Sequence, residues 1–314
     1  MTTQLSRAQG CWLGQLAGDA LGSLVEFETA TSIKAKYPNG VRHLADGGCW
    51  GTLAGQPTDD SEMALALART LVAKNAYDTK AVRQAYLEWL NSPPFDIGGT
   101  TRTGLAGGST LGSQANGALM RISPLGIFGA RPEITQTQLA DWARQDARQT
   151  HQDPICQEIN TLFVLAIADA IRHGTGASDL YAKIKEWAKE CPATPWLPEV
   201  LEEAAVKPPA SYQQNMGWVR IAFHNALWQL LHAPSLEAGV VDTVMRGGDT
   251  DTTAAIAGAL LGAVHGREAV PAQWTECILS CRPAPGNPRT RHPRPECYWP
   301  CDALELATKL SGIA

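Results

Sequence analysis

Strand-like alternation of polar and apolar residues is nearly absent from this chain, which argues against a sheet-based architecture. Excess basic charge is absent too. The formal net charge is −5, so a general nucleic-acid-binding protein, which needs a basic face, is not expected. No apolar run is long enough to span a bilayer; the longest, Ala254 to Val264, is rich in alanine and glycine, so no membrane partner is expected. No charged stretch followed by an apolar one stands near Met1, and the expected location is therefore cytoplasmic. The one basic stretch, Arg282 to Arg294, is interrupted by prolines and reads as an irregular surface loop.

What is present is ample apolar material. Hydrophobic residues make up 44% of 314 residues, enough for a sizeable core. Eight cysteines in such a chain read as reduced thiols. Four of them, Cys277, Cys281, Cys297 and Cys301, have the spacing C-x₃-C-x₁₅-C-x₃-C, within the loose range of structural zinc sites. Small buried hydrophobes are the commoner fate of such thiols, and they are not taken as a site.

Helical periodicity dominates. It predicts helices over 5–24, 61–74, 78–90, 139–149, 154–173, 177–190, 217–231, 235–245, 252–265 and 302–310. Two long glycine-rich loops, 37–58 and 93–117, stand out, because structureless loops of that size are usually functional. Nothing resembles a linker, so residues 1–314 read as one all-α domain. Within it, Gly10, Gly14, Gly18 and Gly22 recur every fourth residue, as do Gly258, Gly262 and Gly266. Each interior glycine costs a helix about 1 kcal/mol relative to alanine, so the spacing calls for an offset. A ridge without side chains supplies one by close helix packing. That places the first helix and the second glycine-ridged helix deep in the core, with each other as candidate partners.

Two acidic motifs open predicted helices: Thr58-Asp59-Asp60, and Asp249-Thr250-Asp251 followed by Thr252. One aspartate explains an N-cap; here each helix start carries two. At a non-helical cap adjacent carboxylates can converge, and the i, i+2 pair Asp249 and Asp251 can share one side of a turn. Four carboxylates and two threonine hydroxyls form the all-oxygen set preferred by Mg²⁺ or Mn²⁺, and two such ions would balance four charges.

Further segments complete a family resemblance. The set Gly18-Asp19-Ala20-Leu21-Gly22 with Val25-Glu26-Phe27, then Thr58-Asp59-Asp60-Ser61, then Gly248-Asp249-Thr250-Asp251-Thr252 resembles the ADP-ribosylglycohydrolase family. So do Asp96-Ile97-Gly98, Thr100-Thr101-Arg102, Asn116-Gly117-Ala118, Met120-Arg121, Thr150-His151 with Asp153-Pro154, and Trp299 to Leu304. Single motifs of this length are weak; this many in the right order are strong. The resemblance implies an orthogonal helical bundle with two Mg²⁺ or Mn²⁺ ions in a central cleft. Their implied ligands are Thr58, Asp59, Asp60, Asp249, Asp251 and Thr252. It also implies cleavage of the bond between ADP-ribose and an acceptor, through an oxocarbenium-like transition state.

Asp96 and Glu26 are the implied proton-handling carboxylates, with Asp96 ranked first for an arginine acceptor. The loop holding Ser113, Asn116 and Gly117 offers backbone N–H groups to a pyrophosphate. His151 could reach the same phosphates or the distal ribose. Gln114-Ala115 and Thr253 depart from the usual family residues, but no implied ligand is missing. The expected partners are ADP-ribose and an ADP-ribosylated protein. Serine, a nucleic-acid base or a free ADP-ribosyl metabolite are alternative acceptors. A different class is a binding or immunity protein that neutralises an ADP-ribosyltransferase toxin.

Overall fold

Helix begins where the Thr3 hydroxyl accepts from the Ser6 N–H at 3.0 Å and opens α1 (Gln4–Gly22). The computed structural model describes residues 3–313. After α1 come α2 (Ala30–Lys36), α3 (Asp59–Lys74), α4 (Thr79–Leu90) and α5 (Gly99–Leu105). The middle of the chain forms α6 (Ser123–Gly129), α7 (Gln136–Arg148), α8 (Pro154–His173), α9 (Ala177–Trp187) and α10 (Leu197–Ala204). The remainder forms α11 (Val219–His232), α12 (Leu236–Met245), α13 (Thr250–His265), α14 (Ala272–Ser280) and α15 (Ala303–Ser311). Among the described residues the only β pairings are isolated bridges, so the fold is all-α.

Local chemistry sets many of these limits. Asp78 accepts from the N–H groups of Lys80 and Ala81 and starts α4. Asp153 accepts from the Ile155 N–H ahead of Pro154 at the first turn of α8, and Gly174 ends that helix in the left-handed conformation. At 20 residues α8 is long and apolar enough to cross a membrane, but 89% of its apolar window is buried inside the protein. It is a core helix. The five unforeseen helices, α2, α5, α6, α10 and α14, have seven to nine residues, too few for a helical period to stand out. One of them, α5, interrupts the loop expected to be structureless over 93–117.

The glycine ridges meet. A Cβ on Gly10 would strike Gly262 and Gly266, one on Gly14 would strike Gly258, and one on Gly18 would strike Ala254, in each case at backbone atoms. On Gly22 it would collide with Thr250 and Asp251. So α1 and α13 lie backbone to backbone along their length, and the first turn of α13 sits beside the last turn of α1. Gly14→Ala gains helix propensity of about 1 kcal/mol, yet overpacking is expected to dominate and lower stability by about 1–3 kcal/mol. Urea unfolding of the variant measures this; an unchanged midpoint would show that the helices can part freely.

The four cysteines with the loose zinc spacing, not taken as a site, do not gather into a ligand group. Cys281 is buried, Cys297 is exposed, and among the described residues no three of these thiols fall within ligand distance of one another. The stretch Arg282 to Arg294 is irregular, as expected, but not wholly superficial: Arg294 is buried and pairs with Glu62 of α3 at 2.7 Å.

Candidate active site

Because glycines bring α1 against α13, Asp19 is carried to the start of α3 as well. The Asp19 carboxylate is fully buried and accepts from the Thr58 hydroxyl at 2.8 Å, the Thr58 N–H at 3.2 Å and the Ser61 N–H at 3.1 Å. It caps α3 from another helix, a role the Thr58 side chain does not fill for itself. Carboxylate oxygens of Asp19, Asp60 and Asp251 lie within 4.8 Å of one another. The Thr58 hydroxyl donates to Asp60 Oδ2 at 3.1 Å, and the Thr252 hydroxyl donates to the same oxygen at 3.3 Å.

Glu26 reaches the cluster through a turn that glycine permits. Phe27 has φ +66° and its N–H donates to the Gly248 carbonyl at 2.8 Å; the Gly248 N–H donates back to Glu28 at 3.0 Å. Gly248 has φ +82°, and a side chain there would meet the Tyr212 carbonyl. This exchange pins Glu26 beside the second acidic motif. Oxygens of Glu26, Asp249 and Asp251 form a second trio within 4.8 Å. Trp50 Nε1 donates to Glu26 Oε2 at 2.8 Å, and the Asn116 amide donates to Asp249 at 2.7 Å.

The two trios share Asp251; Glu26, Asp249 and Asp251 line a cleft of about 350 Å³, and Asp19 and Asp60 lie buried behind it. Its walls include Asp59, Asp96, Gly98, Thr100, Asn116, Gly117 and His151. Burial, followed by the charges of Glu26 and Asp60, holds the Asp251 carboxyl well above the usual range. Burial and the neighbouring carboxylates do the same to Asp59 and Asp60. Burial first, then Asp96, pushes Glu26 up to about 8. Burial first, then Asp19, pushes Asp96 up to about 7. Among the described residues no lysine, arginine or histidine lies within 4.0 Å of these carboxylates. Asp60 Oδ1 is buried and has no hydrogen-bond partner among the described residues. An all-oxygen set of repelling carboxylates with an orphaned acceptor is chemically suited to hard divalent cations.

The expected convergence of Asp59 and Asp60 does not occur. Both lie inside the first turn of α3, where successive side chains diverge by about 100°. Asp60 turns to Asp19 and Thr252, whereas Asp59 lines the cleft and accepts from the Gly98 N–H at 3.3 Å. Asp249 and Asp251 do share a side. Asp19, absent from the expected ligand set, enters the first trio. The available signal was a carboxylate in a helix whose glycine ridge already marked it as core, since a buried charge needs partners.

Asn116 and Gly117 line the cleft; Ser113 stands back, with its hydroxyl 2.7 Å from that of the wall residue Thr100. His151 lies under Gly117, where burial lowers its pKa to about 3, and its Nδ1 meets the Thr150 hydroxyl at 2.8 Å. The neutral imidazole belongs to the cleft wall, with its Nε2 buried beneath Gly117 and unpartnered among the described residues. Arg121 carries no site role by sequence beyond its place in the Met120-Arg121 motif. It is fully buried, donates to Gly117 O and the Thr150 hydroxyl, and pairs with Asp146, so it fixes this wall from behind.

The fold is all-helical, and its cleft is lined by carboxylates with no paired cationic side chain among the described residues. The profile of the ADP-ribosylglycohydrolase family matches residues 1–284, and the chain belongs to that family. An ADP-ribosyl-dinitrogen reductase glycohydrolase of Rhodospirillum rubrum is 32% identical over 280 residues, covering 85% of this chain and 88% of its own. An ADP-ribosylarginine hydrolase of Pseudomonas putida is 26% identical over 301 residues, with 87% and 74% covered. A solved ADP-ribosylglycohydrolase-related protein complex superposes with a TM-score of 0.79 at 27% identity, over 99% of this chain and 98% of that one. The chain is an enzyme of the ADP-ribosylhydrolase class.

Proposed function

We propose that this chain removes ADP-ribose from modified arginine side chains of a protein, with two Mg²⁺ or Mn²⁺ ions as cofactors. The observation that carries the reading is the pair of acidic trios joined at Asp251, the second lining the cleft and the first lying behind it, with no cationic side chain paired to either among the described residues. Asp19, Asp60 and Asp251 would hold one ion, and Glu26, Asp249 and Asp251 the other, with the Thr58 and Thr252 hydroxyls and Asp59 beside them. Such ions supply orientation of ribose hydroxyls and polarisation of water. Asn116, Gly117 and neutral His151 line the wall that takes the diphosphate and distal ribose. Asp96, a carboxylate of the cleft wall that belongs to neither trio, is the working acid–base group, holding or releasing a proton at its carboxyl oxygen. The names of the two bacterial relatives support an ADP-ribosylated protein as substrate, and that of the Pseudomonas putida relative supports arginine.

Arginine-, serine- and nucleotide-linked ADP-ribose, offered with and without Mg²⁺, test the reading. Release from arginine alone, and only with Mg²⁺, is expected; release from serine but not arginine overturns the acceptor.

Folding the ion-free protein should depend on pH in an unusual direction. The folded values of Glu26 and Asp96, about 8 and about 7, lie above the ordinary carboxylate values of 4.5 and 3.8. Their contribution is therefore fully present below those ordinary values and is lost as pH rises through 7 and 8. In a chelator the melting temperature should fall between pH 5 and pH 8. At pH 8, Mg²⁺ at about 100 times its dissociation constant should restore on the order of 2.7 kcal/mol. A flat melting profile that ignores Mg²⁺ contradicts the ion-binding reading.

A further inference from the structure

Neither candidate proton-handling carboxylate sits on a helix. Glu26 is in the turn after α1, and Asp96 is in the irregular segment between α4 and α5. A segment near the C-terminal end of the chain touches the supports of both. The His292 ring stacks on Phe95, the neighbour of Asp96, with centroids 4.5 Å apart and planes 22° apart. The Nε2 of the same ring meets the Trp50 carbonyl at 2.9 Å, and Trp50 is the residue whose indole donates to Glu26. Phe95 and Trp50 also lie against each other, with centroids 5.9 Å apart. Gln56 fixes the strap in turn, its amide donating to the His292 carbonyl at 2.9 Å.

Two residues further on, Arg294 ties down the root of the Asp96 segment. Its guanidinium donates to the Ser92 and Pro93 carbonyls and to the Ser92 hydroxyl at 2.8 Å. The same group pairs with Glu62 of α3 at 2.7 Å and 2.8 Å, one turn beyond Asp59. Neither His292 nor Arg294 lines the cleft, and both lie beyond the residues matched by the family profile.

We propose that the strap 282–295 is a positioning device: His292, wedged between Phe95 and the Trp50 loop, sets the placement of Asp96 relative to Glu26, while Arg294 anchors the segment's base. The physical warrant is that an irregular loop without such contacts samples many conformations, and misplacement of a reacting group by about 1 Å can cost roughly 100-fold in rate. The substrate's ADP-ribose moiety is held elsewhere, by the wall of Asn116 and His151. Loosening the strap should therefore slow turnover and leave binding alone. The inference rests on the acid–base role proposed for Asp96 and on the ion-holding role proposed for Glu26.

The test compares His292→Ala and His292→Phe in the full-length, Mg²⁺-loaded protein, by kinetics and by hydrogen–deuterium exchange of peptides covering 91–98. Arg294 is left intact, because removing it strands Glu62 in the interior. For His292→Ala, exchange over 91–98 should rise and kcat should fall about 10- to 100-fold. KM, ADP-ribose affinity and ion stoichiometry should stay as in the wild type. His292→Phe, which retains a ring against Phe95, should recover most of the rate and the protection. Wild-type exchange in His292→Ala overturns the inference, as does raised exchange with undiminished kcat. A fall in ADP-ribose affinity matching the fall in rate also overturns it, since that would make His292 part of the binding wall. A wild-type protein inactive on every ADP-ribose linkage would instead sink the functional reading, an outcome distinguishable because it needs no variant.

Discussion

Asp251→Ala is expected to abolish turnover while leaving the fold in place. Asp251 is the one residue common to both acidic trios, so its loss removes a donor from each prospective ion site at once. The fold should tolerate the change, because the carboxylate is buried among like charges and holds no cation in the ion-free protein. Its hydrogen bond from the Thr252 N–H at 2.9 Å is local to the start of α13. Melting in a chelator should match or exceed that of the wild type, whereas stabilisation by Mg²⁺ should vanish. Retention of more than about a tenth of the wild-type rate means a loss under roughly 1.4 kcal/mol of barrier stabilisation. That result would remove Asp251 from the centre of the account.

Asp96→Asn separates proton transfer from ion binding. The amide preserves size and polarity but has no proton to exchange at working pH, so kcat should fall about 10²- to 10⁴-fold, the usual span of general acid–base catalysis. Ion content and ADP-ribose affinity should hardly change, because Asp96 belongs to neither trio. Glu26→Gln is not a pure comparison, since Glu26 lies in the second trio. That variant should lower ion affinity together with rate. If Asp96→Asn turns over at the wild-type rate while Glu26→Gln loses rate with its ions bound, Glu26 is the proton carrier and the assignment to Asp96 is wrong.

Much of this architecture was legible in the residues. The four-residue glycine spacing of α1 and α13 has few uses other than close helix contact, and the two ridges meet at backbone distance. The long amphipathic or apolar helices α3, α4, α7, α8 and α11 declare themselves by period and by caps such as Asp78 and Asp153. What stayed hidden has a common cause: it depends on contacts between distant segments. The seven-residue helices α2, α5 and α6 owe their existence to packing that no local pattern reveals.

The site shows the same division. Asp249 and Asp251 meet as their spacing suggests, because both lie at one helix start. Asp59 and Asp60 part, because α3 begins one residue after Thr58 and helical geometry then governs them. Asp19 joins Asp60 across 41 positions of sequence only because α1 and α3 cross near their ends. His292 and Arg294 belong to a stretch whose sequence reads as surface loop. A proline-broken basic stretch carries no sign that one of its arginines will be buried against Glu62.

The most direct test of the acidic cleft as a two-ion centre is a crystal of this protein soaked in Mn²⁺ and read by anomalous scattering. The account predicts two peaks on either side of Asp251, one within reach of Asp19 and Asp60, the other of Glu26 and Asp249. A cleft without anomalous density at saturating Mn²⁺, or ions bound only away from these carboxylates, would contradict it.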